Sequence, residues 1–139
     1  MKRWLVDTGP FVAYLDRSDS AHSGVAACMD GFSGQLTTTG AVVTEVMYFV
    51  SEAPDGPQSF AELLVRARVQ IVDVLQPPRI AAAAALMKNY ADTPMDFADA
   101  TLVGAAEQLG ITDILTLDRR GFSAYRTSKG KAFRLVLDA

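Results

Sequence analysis

Apolar positions along this chain come in short blocks of two alternating kinds. The run "RWLVD" is cut by "TGP", the pattern of a buried strand that ends at a turn, and "QLTTT", "QIVDVL", "ITDILTLD" and "AFRLVLD" repeat it. Between these runs the spacing is helical: Pro10 to Asp16, Ser20 to Phe32, Ala41 to Ser51, "QSFAELLVRARV", "PPRIAAAAALMKNY" and Thr93 to Gly110, with a short turn or helix at "RRGFSAY". The segment "AVVTEVMYFVS" is apolar almost all round, which predicts a helix packed deep in the core with Glu45 as its only charge. Strands alternating with helical segments of roughly 10 to 15 residues predict an α/β fold, a central mainly parallel sheet covered by helices on both faces. With 139 residues, half of them hydrophobic, and no repeat or linker in between, the expectation is one domain over residues 1–139.

The helix "TPMDFADATLVGAAEQLG" breaks its own pattern. At ~100° per residue, Met95, Ala98, Leu102, Val103, Ala105, Ala106 and Leu109 form one broad apolar stripe, and Asp99 lies inside it. Asp96 sits at the edge, where Thr93 as N-cap, Pro94 at the first helical position and Asp96 three residues on would make a capping box. Asp99 has no such role. An ionised carboxylate on a buried face costs several kcal/mol unless something positive or strongly hydrogen-bonding meets it.

Composition narrows what that partner is. Cys28 is the only cysteine and His22 the only histidine, which excludes disulfide frameworks, Cys/His zinc sites and Cys–His nucleophile pairs within one chain. No apolar run approaches the ~18 residues that cross a bilayer, and Asp7 interrupts any signal-like start, so a cytoplasmic protein without membrane contact is expected. The formal net charge of −3 argues against coating nucleic acid by bulk electrostatics. Positive charge is concentrated late in the chain, where Arg119, Arg120, Arg126 and Lys129 follow Asp118 closely. Such a tail is either a solvated surface or, beside a site that handles anions, a row of phosphate contacts.

Aspartates close two of the expected strands, Asp7 and Asp118, and in open α/β sheets ligands bind at the carboxyl ends of strands. Taken singly, each acid has a simpler account: a helix cap for Asp7 or Asp118, a side chain snorkelling out of the core for Glu45, a buried hydrogen bond for Asp99. Taken together, Asp7, Glu45, Asp99 and Asp118 predict one cleft whose acids would repel each other and take up protons unless a hard divalent cation lies among them. An all-oxygen ligand set selects Mg²⁺ or Mn²⁺, and such ions commonly take phosphate oxygens as further ligands. Phosphodiester hydrolysis by an activated water then needs neither histidine nor serine. A dehalogenase-type phosphatase would want an acid where Gly9 stands, and "DTGPF" supplies no glycine-rich phosphate loop.

Over nearly its whole length the chain resembles the PIN-domain ribonucleases, and within them the VapC-type toxins of toxin–antitoxin pairs. The resemblance rests on "VDTGPFVAYLDRSDSAH", "TTGAVVTEVMYFV", "PMDFADATLVGAAEQLGITDILTLDRRGF" and the tail "SAYR". It implies a three-layer α/β/α fold, a Mg²⁺- or Mn²⁺-dependent endoribonuclease, an RNA substrate, a cognate antitoxin and a homodimer. Asp7, Glu45, Asp99 and Asp118 match the family's ordered acids, with Asp7, Asp99 and Asp118 as metal ligands. Thr8 and Thr116 match small hydroxyl residues lining such sites, and Asp96 matches a further supporting acid. The sequence departs from the pattern at Gly121, where relatives often carry another acid. The resemblance leaves open two other readings: a non-catalytic PIN-like module that binds RNA or protein, and an RNA-processing nuclease outside toxin–antitoxin systems.

Overall fold

The computed structural model describes residues 1–138. Five strands, β1 (Arg3–Val6), β2 (Gln35–Thr39), β3 (Gln70–Val72), β4 (Asp113–Leu115) and β5 (Arg134–Leu135), form one sheet in the order β3-β2-β1-β4-β5. Every pairing in it is parallel, with Leu5 opposite Thr37 on one side and Ile114 on the other. Seven helices fill the connections: α1 (Thr8–Leu15), α2 (His22–Asp30), α3 (Gly40–Val50), α4 (Gly56–Arg66), α5 (Pro77–Asn89), α6 (Phe97–Leu109) and α7 (Arg119–Ala124). A 3₁₀ turn, Val136–Asp138, follows β5. Right-handed crossovers put α1 to α4 on one face and α5 to α7 on the other, and α1 accordingly packs on α2, α3 and α4 while α5 packs on α6.

The core is built where the sequence alternates least. Leu5 and Val6 of β1 and Ile114 and Leu115 of β4 are fully buried, sandwiched between Phe11 of α1, Val42 and Val46 of α3, and Leu102 and Val103 of α6. The chain leaves the central strand β1 toward β2 and β3, then returns to its other side for β4 and β5. That reversal opens a crevice at the carboxyl ends of β1 and β4.

Several elements differ from the sequence expectation, each for a local reason. The helix expected from Thr93 and Pro94 begins at Phe97, because Asp96 is its N-cap: the Asp96 carboxylate accepts from the Asp99 amide and the Asp99 carboxylate from the Asp96 amide. Helix α6 ends at Gly110, whose φ of 69° is the left-handed conformation that favours glycine. Helix α1 starts two residues before Pro10, capped by Asp7. Helix α3 is less deeply placed than its composition suggests; only Val42, Val46 and Val50 are buried, while Tyr48 and Phe49 are 75% and 60% exposed. The last three expected strands shrink to two or three paired residues, so Asp118 stands beyond β4 as the cap of α7, while Asp7, one residue past β1, caps α1.

Candidate active site

Three helix N-termini meet in the crevice, and a carboxylate caps each one. The Asp7 Oδ1 accepts from the Thr8 amide at 2.8 Å to start α1, the Asp96 Oδ1 from the Asp99 amide at 2.8 Å to start α6, and the Asp118 Oδ1 from the Gly121 amide at 2.9 Å to start α7. Each cap satisfies an otherwise orphaned amide and places a negative charge at the positive end of a helix. Together with Glu45 of α3 and Asp99, these residues line one cavity of about 450 Å³. Asp7, Glu45, Asp99 and Asp118, the four acids of the sequence expectation, all line this cavity, and so does Asp96.

Thr116 ties two of the acids together across 109 residues of chain. Its hydroxyl donates to Asp7 Oδ2 at 2.8 Å and accepts from the Asp118 amide at 3.0 Å, so the end of β4 is pinned to the end of β1. Thr8 is buried beside them, and its Oγ1 has no hydrogen-bond partner among the described residues. A polar atom orphaned in a cavity of carboxylates is a place for a ligand.

Charge in the crevice is uncompensated. Asp7 is 7% exposed, and burial pushes its carboxyl up to about 6, the nearby Asp96 and Asp118 charges adding to a rise that hydrogen bonds from Thr116 and Thr8 oppose. Asp99, 8% exposed, is pushed up to about 8 by burial first and then by the charges of Asp7 and Asp96. Among the described residues no lysine, arginine or histidine lines the cavity. What meets Asp99 inside the protein is thus only the Asp96 amide, and the remaining compensation must come from protons or a bound cation.

The donor set fits a hard divalent cation: carboxylate and hydroxyl oxygens, a cavity roomy enough for retained waters, and two carboxyls that a cation would relieve of their protons. The acids face this space without closing on one point, for among the described residues no three are drawn up at ligating spacing.

The basic residues are placed differently. Arg119 pairs with Asp138 at 2.9 Å, Arg126 donates to the carbonyls of Ser123 and Tyr125 at the end of α7, and Arg120 is exposed. Lys129 lies with Arg79 and Glu107 around a separate cavity between α5 and α6. None of the four lines the acidic cavity. The sequence reading missed Asp19, Phe49 and Leu117, which do line it. Asp19 sits in the turn between α1 and α2, where only tertiary structure brings it to the crevice, whereas Phe49 lies one helical turn beyond Glu45, a spacing that was legible.

An all-parallel sheet whose switch point carries this ordered set of acids defines a class, and comparison agrees: the PIN domain family matches residues 4–127, and the chain belongs to that family. It is 31% identical over 134 residues to ribonuclease VapC26 of Mycobacterium tuberculosis, a match covering 95% of this chain and 98% of that protein. Among solved structures, VapC20 of Mycobacterium tuberculosis, described as a sarcin–ricin loop cleaving toxin, superposes with a TM-score of 0.74 at 17% identity over 83% of this chain and 89% of its own. A toxin–antitoxin complex from Klebsiella pneumoniae gives a TM-score of 0.64 at 18% identity, covering 87% and 91% of the two chains. At these identities the structures speak to the fold, which is the three-layer α/β/α arrangement expected from the sequence.

Proposed function

We propose that this chain is an endoribonuclease that hydrolyses RNA phosphodiester bonds with Mg²⁺ or Mn²⁺, as the toxin of a cytoplasmic toxin–antitoxin pair. The convergence of Asp7, Glu45, Asp99 and Asp118 on one cavity carries the reading, supported by the likeness to ribonuclease VapC26 and to a toxin of an antitoxin complex. Asp7, Asp99 and Asp118 would hold the cation, which when bound supplies an acidified water and offsets charge on the phosphate. Glu45 faces them from α3 and would accept the proton of the attacking water. Thr116 keeps Asp7 and Asp118 at fixed spacing, Asp96 holds Asp99 through the capping box, and Thr8 offers its free hydroxyl to a ligand in the same space.

RNA would approach along α7, where Arg119 and Arg120 directly follow Asp118, with the exposed Arg126 and Lys129 as more distant phosphate contacts. The chain would act as one domain over residues 1–139 and as a homodimer, for which exposed apolar side chains such as Tyr48, Phe49 and Val65 provide surface. The test is cleavage of single-stranded RNA by the purified protein. Strand scission that requires Mg²⁺ or Mn²⁺, stops with chelator and disappears in Asp7→Asn supports the proposal; RNA binding without scission under all metal conditions would leave the non-catalytic module as the correct reading.

A further inference from the structure

Tyr125 is fully buried at the end of α7, directly behind the acids. Its ring is held edge-on by Tyr90 and Phe122, each with a centroid separation of 5.1 Å. Its hydroxyl donates to the carbonyl of Pro94 at 2.7 Å, two residues before the N-cap of α6. One side chain therefore links the helix that Asp118 caps to the segment that delivers Asp96 and Asp99.

Gly121 shows how closely these parts are fitted. A Cβ at Gly121 would lie 2.9 Å from Tyr125 Oη and would run into Asp118 Oδ2. Alanine is the better residue in a helix, so glycine here is explained by space and not by helix propensity. The phenol oxygen and the Asp118 carboxylate both border the space that a side chain at Gly121 would take. Burial and the surrounding carboxylates, Asp99 and Asp118 foremost, hold the phenol well above its usual range, which keeps it a proton donor.

We propose that Tyr125 is a positioning residue for the cation site: its hydroxyl, seated over Gly121, fixes the Asp96–Asp99 capping box relative to Asp118 and so sets the affinity of the cavity for a divalent ion. The proposal rests on the metal-dependent reading of the cavity. It predicts a division of labour within Tyr125, the ring serving the core and the hydroxyl the site. Phenylalanine keeps the ring contacts, and the capping box keeps its own two hydrogen bonds, so the fold persists while the acids lose their common reference.

The experiment is calorimetric titration of Mn²⁺ into the full chain, wild type against Tyr125→Phe, with thermal unfolding of both in chelator. Tyr125→Phe should bind Mn²⁺ about tenfold more weakly, the order of one lost hydrogen bond. It should unfold within a few degrees of wild type, and the Mn²⁺ concentration for half-maximal RNA cleavage should rise by a similar factor with KM for RNA unchanged. Gly121→Ala should weaken Mn²⁺ binding too, and by less in the Tyr125→Phe background, where one of the three close contacts of the new methyl is gone. Equal Mn²⁺ affinity in wild type and Tyr125→Phe overturns the positioning role alone. A wild-type protein that binds no Mn²⁺ overturns the metal reading and this proposal with it.

Discussion

Raising the pH should destabilise the metal-free protein, because the folded crevice holds protons that the unfolded chain gives up. The two carboxyls concerned sit above their ordinary value of 3.8, Asp7 at about 6 and Asp99 at about 8. A group raised on folding contributes stability that is complete below its unfolded pKa and is lost as pH climbs through its folded one. Each pH unit of that window is worth about 1.4 kcal/mol per group. Between pH 5 and 8, Asp7 therefore loses on the order of 1 kcal/mol. Asp99 nominally loses about 4 kcal/mol, which coupling to Asp7 and screening by water at the cavity mouth reduce to about 2. A combined loss of about 3 kcal/mol should lower the melting temperature of a chain this size by roughly 10 °C. The assay is thermal unfolding followed by circular dichroism in chelator at pH 5, 6, 7 and 8. Asp99→Asn keeps an oxygen to accept from the Asp96 amide but cannot ionise, so it should flatten the decline between pH 6 and 8 and melt above wild type at pH 8. Saturating Mn²⁺ should reverse the trend in wild type, since ionised carboxylates then gain a partner. A melting temperature that stays level or rises from pH 5 to 8 in chelator, or an Asp99→Asn protein that falls as steeply as wild type, would refute the reasoning.

Other outcomes follow from single contacts. Asp96→Ala removes the N-cap of α6 and should cost about 1 kcal/mol in urea unfolding, whereas Asp96→Asn should be nearly neutral. Thr116→Val deletes a hydrogen bond that lowers the Asp7 pKa, so the pH at which Mn²⁺ binding is half complete should move up by about 1 unit in calorimetric titrations. Replacing Arg119 and Arg120 by alanine should weaken binding of single-stranded RNA about equally across sequences and flatten its salt dependence, with Mn²⁺ affinity unchanged; filter binding at several ionic strengths is the check.

The parallel sheet and the placing of these acids around one cavity were legible because both follow from period and order. Strand-like runs alternating with helical ones permit few topologies, and an aspartate after each of two adjacent strands falls at the same end of the sheet. Asp99 was the clearest signal, since a carboxylate inside an apolar stripe contradicts its own helix. Local hydrogen bonding was harder to foresee. Thr93, Asp96 and Asp99 all offer capping chemistry at the start of α6, and the structure uses the reciprocal bonds of Asp96 and Asp99, while the Pro94 carbonyl just before them accepts from Tyr125, 31 residues away. Depth in the core also escaped the reading of α3, because hydrophobicity around a whole helix does not say which side the sheet takes. Tyr48 and Phe49 consequently stand outside, where a composition argument had put them in. Asp19 was hidden for a similar reason, since only the packing of the turn between α1 and α2 brings it to the crevice.

The Asp7–Thr116 hydrogen bond and the pairing of β1 with β4 join the beginning of the chain to its last quarter. During synthesis β1, α1 and α3 leave the ribosome long before Thr116 and Asp118 exist, so a growing chain can assemble one side of the sheet but not the crevice. β1 waits with an open edge, and the acids it carries have no counterparts across it. For a protein with the proposed activity, a chain that still lacks β4 lacks the crevice as well, because Asp118 and the Thr116 bond to Asp7 are both missing.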